Sequence, residues 1–170
     1  DVLVAMNPAA LKANKDCIKK GGTIIVNIDT FTKRDFEKAG YTTNPLEGNS
    51  FEGFNIVQAP ITKLTREALK NSGLDGKSIG RSKNMFALGI VYWMFNRPME
   101  KTEKFLQNKF AKKPEVLAAN IKVMHAGYNF AETIEALPSS YTVLSANLKK
   151  GTYRNVMGNQ TLAWGFLAAA

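Results

Sequence analysis

Short apolar runs alternate with longer amphipathic stretches over the first part of the chain. The runs at residues 2–6, 23–27 and 54–59 are largely apolar, as is typical of strands that are buried on both faces of a parallel sheet. Between these runs, apolar positions recur at helical spacing over residues 8–19 and 32–39. This order of strand, helix, strand, helix and strand predicts an α/β fold, an open parallel sheet with helices on both faces.

Capping residues indicate where the early helices begin and end. Asn7 ends the first strand, and the proline that follows it suits the first turn of a helix reaching about residue 19. Thr32, with an acidic residue three positions later, predicts the start of a second helix, which Gly40 ends. Thr62 predicts the N-cap of a third helix, which runs to about residue 72.

The second half of the chain predicts helices. Residues 85–95 are apolar on every side, which indicates a central buried helix that begins at Ser82. Pro98 and Pro114 predict the starts of two more helices, the first with Phe105 turned inward and the second with Asn120 turned inward. A last helix is expected from about residue 158.

Composition narrows the class of protein. A chain of 170 residues with 45% hydrophobic content can bury one good core. No apolar run approaches the roughly 20 residues that span a bilayer, and the first residues do not resemble a secretion signal. We therefore expect a cytoplasmic protein without a membrane partner.

The chain has one cysteine and one histidine, too few for a zinc site or a cysteine-ligated iron–sulfur cluster, so no metal site is expected. Cys17 shares a helical face with Ala10 and Ala13, which favours a buried structural thiol. His125 has no conspicuous carboxylate partner in the sequence, which favours an ordinary surface histidine.

The net charge of +9 raises the question of nucleic-acid binding. The lysines are scattered over the polar sides of amphipathic helices, without an arginine-rich run or a base-stacking motif among them, so no nucleic-acid partner is expected. The remaining positive charge suits a phosphorylated ligand or an acidic partner subunit.

Polar residues follow each predicted strand. They are Asn7 after the first, Asn27 and Asp29 after the second and Thr62 after the third. Ligands of open parallel sheets bind beyond the carboxyl ends of the strands, so these four residues are candidate ligand contacts. The same residue types also form strand-end turns and helix caps, and that structural interpretation is favoured. No nucleophile, base or phosphate-loop motif is present, so no catalytic residue is expected.

Arg81, Ser82, Lys83 and Asn84 directly precede the predicted buried helix. Two cations, a capping hydroxyl and the free N–H groups of a helix start would meet there, which makes these residues a candidate anion site. The alternative is equally consistent with the sequence: Ser82 caps the helix, and both cations face water or a partner subunit.

Four blocks resemble a known enzyme family. They are residues 4–10, 21–27, 81–89 and 151–165, the last beginning Gly-Thr-Tyr-Arg and continuing to Gly-Asn. In this order they resemble the fused gamma and alpha domains in the large chain of 2-oxoacid:ferredoxin oxidoreductases, most closely the 2-oxoglutarate type. The resemblance implies a Rossmann-like gamma domain over residues 1–148, and a linker and the start of the alpha domain over residues 149–170.

The resemblance implies an enzyme that oxidatively decarboxylates a 2-oxoacid to an acyl-CoA and passes the electrons to ferredoxin. Its cofactors would be thiamine diphosphate, magnesium and iron–sulfur clusters, held elsewhere in an oligomer that includes a beta subunit. This segment would be a structural module that faces coenzyme A and has no catalytic residues of its own. The family also has an earlier strand with a Gly-rich turn, so the first strand is expected to be missing here and the last helix to be truncated.

Two other functions stay open at this point. A stand-alone nucleotide-binding α/β module would need a Gly-rich turn after its first strand, and Asn7 with the proline after it does not provide one. A non-enzymatic, basic interaction domain agrees with the charge but leaves the order of the four blocks unexplained.

Overall fold

The structure, a computed structural model, describes residues 1–135, 141–144 and 146–169. Three parallel strands, β1 (Val2–Ala5), β2 (Thr23–Asn27) and β3 (Asn55–Ala59), form one sheet in the order β1-β2-β3. Val2 pairs with Thr23, which in turn pairs with Asn55. The central strand β2 is buried along all of its residues, as its apolar sequence predicts.

Seven α-helices accompany the sheet in the described residues: α1 (Pro8–Asn14), α2 (Lys33–Ala39), α3 (Ile61–Ala68), α4 (Gly76–Met94), α5 (Glu100–Lys109), α6 (Pro114–Thr133) and α7 (Gly158–Ala169). Thr32 caps α2 and a left-handed Gly40 ends it, both as predicted. Two helices are shorter than expected, since α1 stops at Asn14 and α3 stops at Ala68.

Side chains on the two faces of the sheet enter two separate cores. Ile25 and Val57 point to one face, where they pack with residues of α3, α4 and α6. Ile24 and Val26 point to the other, where they pack with Leu11 of α1. This alternation follows from the two-residue period of a strand, and it confirms an α/β fold with helices on both faces.

The tightest packing joins α4 and α6, which approach each other through two glycines. A Cβ atom added to Gly89 would lie 2.0 Å from the carbonyl oxygen of Met124. One added to Gly127 would lie 2.0 Å from the carbonyl oxygen of Phe86. Both contacts are backbone atoms, which cannot move aside as a flexible side chain can, so this crossing requires glycine in both helices.

Two predicted environments are wrong, and a third is wrong in part, because His125 lies exposed on a helix as predicted but is not without a partner. Cys17 is exposed in a short 3₁₀ helix, Lys15–Cys17, whose three residues per turn do not continue the α-helical face, and α1 buries Leu11 instead. His125 does have a carboxylate partner, because its Nε2 lies 2.6 Å from Oε1 of Glu103 on the neighbouring helix α5. Phe105 is 58% exposed, and on that helix Leu106 is buried instead.

The C-terminal helix α7 begins at Gly158, as predicted, and has no buried residue. Its apolar side chains face solvent in the described structure, as do others in the preceding segment: Tyr153, Val156, Met157, Leu162, Trp164, Phe166 and Leu167. Exposed apolar surface of this kind is typical of segments that contact another part of a protein or a partner. None of the helices in the described part of the chain is long and apolar enough to cross a membrane.

Candidate functional site

Asn7 is a helix cap at the end of β1. Its Oδ1 accepts a hydrogen bond of 2.8 Å from the backbone N–H of Ala10, and Pro8 occupies the first position of α1. This is the usual role of asparagine before a helix, where it satisfies one of the N–H groups that have no partner within the helix. The structural interpretation of Asn7 therefore has direct support.

Asn27 and Asp29 hold the start of α3. Asn27 is completely buried, its Nδ2 donates to Thr62 Oγ1 at 2.9 Å, and its Oδ1 accepts from the backbone N–H of Thr62 at 3.3 Å. Asp29 Oδ2 accepts from the backbone N–H of Lys63 at 2.7 Å. Asn27 at the end of β2 and Asp29 just after it thus cap a helix that lies about one βα unit further along the chain.

Thr62 is not the N-cap of α3, contrary to the prediction. The helix begins at Ile61, and Pro60, which precedes it, offers no side-chain acceptor. Asn27 and Asp29 provide the missing acceptors from a different strand, a tertiary contact that local spacing could not reveal. Beside them lies an open cavity of about 430 Å³, which is also lined by Lys63 and Arg66.

The capping role gives a stability prediction for Asn27. Asn27→Ala should lower the free energy of unfolding by about 1–3 kcal/mol, because it leaves the partly buried backbone N–H and hydroxyl of Thr62 without partners. Asn84→Ala is the matched control, since Asn84 is exposed on α4 and its loss should change stability by less than about 0.5 kcal/mol. Urea unfolding curves provide the measurement, and equal midpoints for the two variants would disprove the capping role.

The predicted anion site at the start of the buried helix is wrong in its position. Helix α4 begins two turns earlier, at Gly76, and its N-cap is Asp75, whose Oδ1 accepts from the backbone N–H of Ser78 at 2.6 Å. Ser82 is therefore not a cap, and Arg81 and Lys83 lie beyond the first turn, outside the range of the helix dipole. An aspartate three residues before a serine was the available sequence signal for the earlier start.

The four residues of the predicted site also lie on different sides of helix α4. Ser82 is buried and 2% exposed, whereas Arg81 and Asn84 are exposed. Asn84 instead borders an apolar cavity of about 380 Å³, lined by Val4 and Met6 of the first strand and its end. Consecutive residues of a helix point about 100° apart, so four in a row cannot all face one ligand.

A cavity between α4 and α6 brings together part of the predicted site and residues that the sequence did not indicate. Its volume is about 220 Å³, and we call it the α4–α6 cavity. Its lining consists of Ser78, Arg81 and Ser82 from α4 and Phe110, Lys113, Val116 and Asn120 from the end of α5 to the first turns of α6. Lys113 is one of the lysines that the sequence predicts on the polar sides of helices, and it lies directly before Pro114 at the start of α6.

Both a carboxylate, Asp75, and a guanidinium, Arg81, lie at the edge of this cavity. The backbone N–H of Ser78, its hydroxyl and the positive charge of Arg81 keep the pKa of Asp75 below its ordinary value. Asp75 is therefore ionised at neutral pH and lies near the guanidinium of Arg81. In residues 1–135, 141–144 and 146–169, no three His, Cys, Asp or Glu side chains are grouped to hold a metal ion.

Comparison with known proteins identifies the family. Residues 1–130 match the family model for pyruvate ferredoxin/flavodoxin oxidoreductase, which is most of the chain. The chain belongs to this family. The resemblance found in the four sequence blocks is thereby confirmed.

Two oxidoreductases are similar to this chain over most of its length. The 2-oxoglutarate oxidoreductase subunit KorA of Mycobacterium tuberculosis is 47% identical over 169 residues, which is 99% of this chain. The 2-oxoglutarate:ferredoxin oxidoreductase from Magnetococcus marinus, solved with 2-oxoglutarate, coenzyme A and succinyl-CoA bound, superposes with a TM-score of 0.60 at 28% identity over 84% of this chain. The chain spans about a quarter of each relative, 26% of KorA and 22% of the solved chain.

Proposed function

We propose that this chain is part of a 2-oxoacid:ferredoxin oxidoreductase whose substrate is 2-oxoglutarate. The main support is the 47% identity to a 2-oxoglutarate oxidoreductase subunit over 99% of the chain. In the proposed reaction the C1–C2 bond of the 2-oxoacid breaks and releases CO₂. C2 is oxidised by two electrons and forms a thioester with coenzyme A, whose thiol proton is released to solvent, and two oxidised ferredoxins each accept one electron.

The residues of this chain do not fit an iron–sulfur cluster. Thiamine diphosphate, where it is bound, supplies the stabilisation of the carbanion that decarboxylation leaves. An iron–sulfur cluster needs several thiolates, and Cys17 is the one cysteine of this chain. We therefore assign thiamine diphosphate, magnesium and the clusters to other parts of the enzyme, and to this segment a structural role beside coenzyme A.

We also propose that residues 1–148 form the gamma domain and that residues 149–170 lead into the alpha domain. The family match to residues 1–130 supports the first part of this division. The exposed apolar side chains of α7 support the second, because Trp164, Phe166 and Leu167 have no core to enter within the described residues. The partners in this proposal are the alpha domain, a beta subunit and ferredoxin, in a cytoplasmic oligomer.

The full-length gene product, purified without oxygen together with its beta subunit, should reduce methyl viologen only when both 2-oxoglutarate and coenzyme A are present. Pyruvate should support a much lower rate than 2-oxoglutarate at equal concentration. Residues 1–170 alone should give no activity, since one cysteine cannot ligate a cluster and the sequence has no nucleophile–base motif.

Three results would count against this proposal. Viologen reduction without coenzyme A would exclude the thioester product, and a preference for pyruvate would reassign the substrate. Turnover by residues 1–170 alone would show that the segment is itself catalytic. The CO₂ released from 2-oxoglutarate labelled at C1 should equal half the viologen reduced, which checks the electron balance independently.

A further inference from the structure

The α4–α6 cavity differs in its charge from two other polar cavities that described residues line. The cavity at the carboxyl edge of the sheet includes Asp29 and Glu67, and the one between α5 and α6 includes Glu100 and Glu103. The α4–α6 cavity has two cations, Arg81 and Lys113, and no carboxylate in its lining. Its lining therefore suits an anion, whereas the other two present both signs of charge.

Two buried side chains add neutral donors to these cations. Ser82 is 2% exposed, and its hydroxyl makes only a long contact of 3.4 Å with the carbonyl oxygen of Ser78. Asn120 is 8% exposed, and its Nδ2 donates to the carbonyl oxygen of Val116 at 2.8 Å. An amide nitrogen has two hydrogens, so one donor of Asn120 remains for a ligand.

The start of α6 adds a further electrostatic contribution. Lys113 occupies the N-cap position without a side-chain cap of its own, and Val116 in the first turn borders the cavity. The first N–H groups of a helix have no partner within the helix, and they carry partial positive charge. Two carboxylates oppose this field from outside the lining, Asp75 beside Arg81 and Glu115 in the first turn of α6.

We propose that the α4–α6 cavity binds the phosphoryl group of a small molecule through Arg81, Lys113, Ser82 and Asn120. A guanidinium, an ammonium and two neutral donors match the several acceptor oxygens of a phosphate. The volume of about 220 Å³ is below the roughly 300–1,000 Å³ of whole-ligand pockets, so the cavity holds the phosphoryl group while the rest of the molecule lies outside.

Direct binding to the full-length protein tests this assignment. Calorimetric titrations with coenzyme A, dephospho-coenzyme A, pyrophosphate and inorganic phosphate are compared for the native protein and the Arg81→Ala/Lys113→Ala variant. The double variant should lose at least about tenfold to a hundredfold in affinity for the ligand that uses the cavity, since a single hydrogen bond to a charged group is worth that order and two are removed. Lys83→Ala is the matched control, because Lys83 lies on the same helix outside the cavity lining and should bind as the native protein does.

The four ligands distinguish the sources of the phosphoryl group. Loss confined to coenzyme A, with dephospho-coenzyme A unaffected, identifies the 3′-phosphate, and equal loss for both identifies the diphosphate. Loss for pyrophosphate or inorganic phosphate alone identifies a free anion. Unchanged affinity of the double variant for all four ligands, or an equal loss in Lys83→Ala, would overturn the assignment.

Only the titration with coenzyme A depends on the proposed function; the assignment of a phosphoryl site does not. If that function fails, the native protein will not turn over 2-oxoacids, whatever the titrations show. If only the phosphoryl site fails, turnover will persist and the double variant will bind all four ligands normally. Arg81 and Lys113 are both exposed, so the double variant should keep the native melting temperature, which separates lost binding from lost folding.

Discussion

Gly89→Ala is expected to destabilise the protein by about 3 kcal/mol or more, the upper end of the range for overpacking in a core. The added methyl carbon would lie 2.0 Å from the carbonyl oxygen of Met124 and 2.7 Å from the backbone nitrogen of Tyr128. Helices α4 and α6 would have to move apart by more than an ångström, which would loosen the core that Phe86 fills. Gly127→Ala should have a similar effect, because its methyl carbon would meet the backbone of Phe86.

Gly80→Ala is the matched control for this experiment, because Gly80 belongs to the same helix and has open space around it. Alanine favours a helix interior over glycine by about 1 kcal/mol, so Gly80→Ala should stabilise the protein slightly. The measurement is thermal or urea unfolding of the three variants. Stabilisation by both Gly80→Ala and Gly89→Ala would show that helix propensity, and not the close approach of α4 and α6, governs these positions.

Phe86→Ala is expected to cost about 3–5 kcal/mol, as is typical of a buried phenylalanine. Phe86 is 1% exposed, and its ring centre lies 5.7 Å from that of Phe130 on α6. Phe105→Ala makes the same chemical change at a side chain that is 58% exposed, and should alter stability by less than about 0.5 kcal/mol. The difference in unfolding free energy between these two variants measures how much the burial of a phenylalanine ring stabilises the protein.

Trp93→Ala extends the comparison along α4. Because helix α4 is apolar on every side here, the sequence predicts that Trp93 and Phe86 are equally buried. In the structure Trp93 is only half-buried, at the edge of the core. Its substitution should therefore cost less than that of Phe86, although tryptophan is larger. A larger loss at Trp93 would mean that another part of the protein covers this side of the helix.

The candidate site is largely built from contacts between distant segments. Asn27 and Asp29 cap α3 across the carboxyl edge of the sheet, and Lys113 and Asn120 meet Arg81 and Ser82 across the α4–α6 crossing. The two sets have different roles. The first set is paired with the start of α3, whereas the second set lines a cavity with two cations and a remaining amide donor of Asn120.

The sequence alone was sufficient for the fold class, the three strands, the capped ends of α2 and the family. These features follow from local signals: the spacing of apolar residues, two for a strand and 3.6 for a helix, and capping residues such as Thr32 and Gly40. Such signals indicate the same element wherever the segment lies in the fold. The order of the four sequence blocks likewise needs no coordinates, and the family match agrees with it.

Only the tertiary structure decided which side of each helix is covered, and therefore where the site lies. Cys17 is exposed and Phe105 is solvated, because burial depends on which neighbour packs against a face and not on the spacing within it. Arg81 faces Lys113 and not Lys83, because two helices that cross at Gly89 and Gly127 bring together side chains some thirty residues apart. Local spacing determines the elements of this protein, and the close approach of their backbones determines which of its charges can act together.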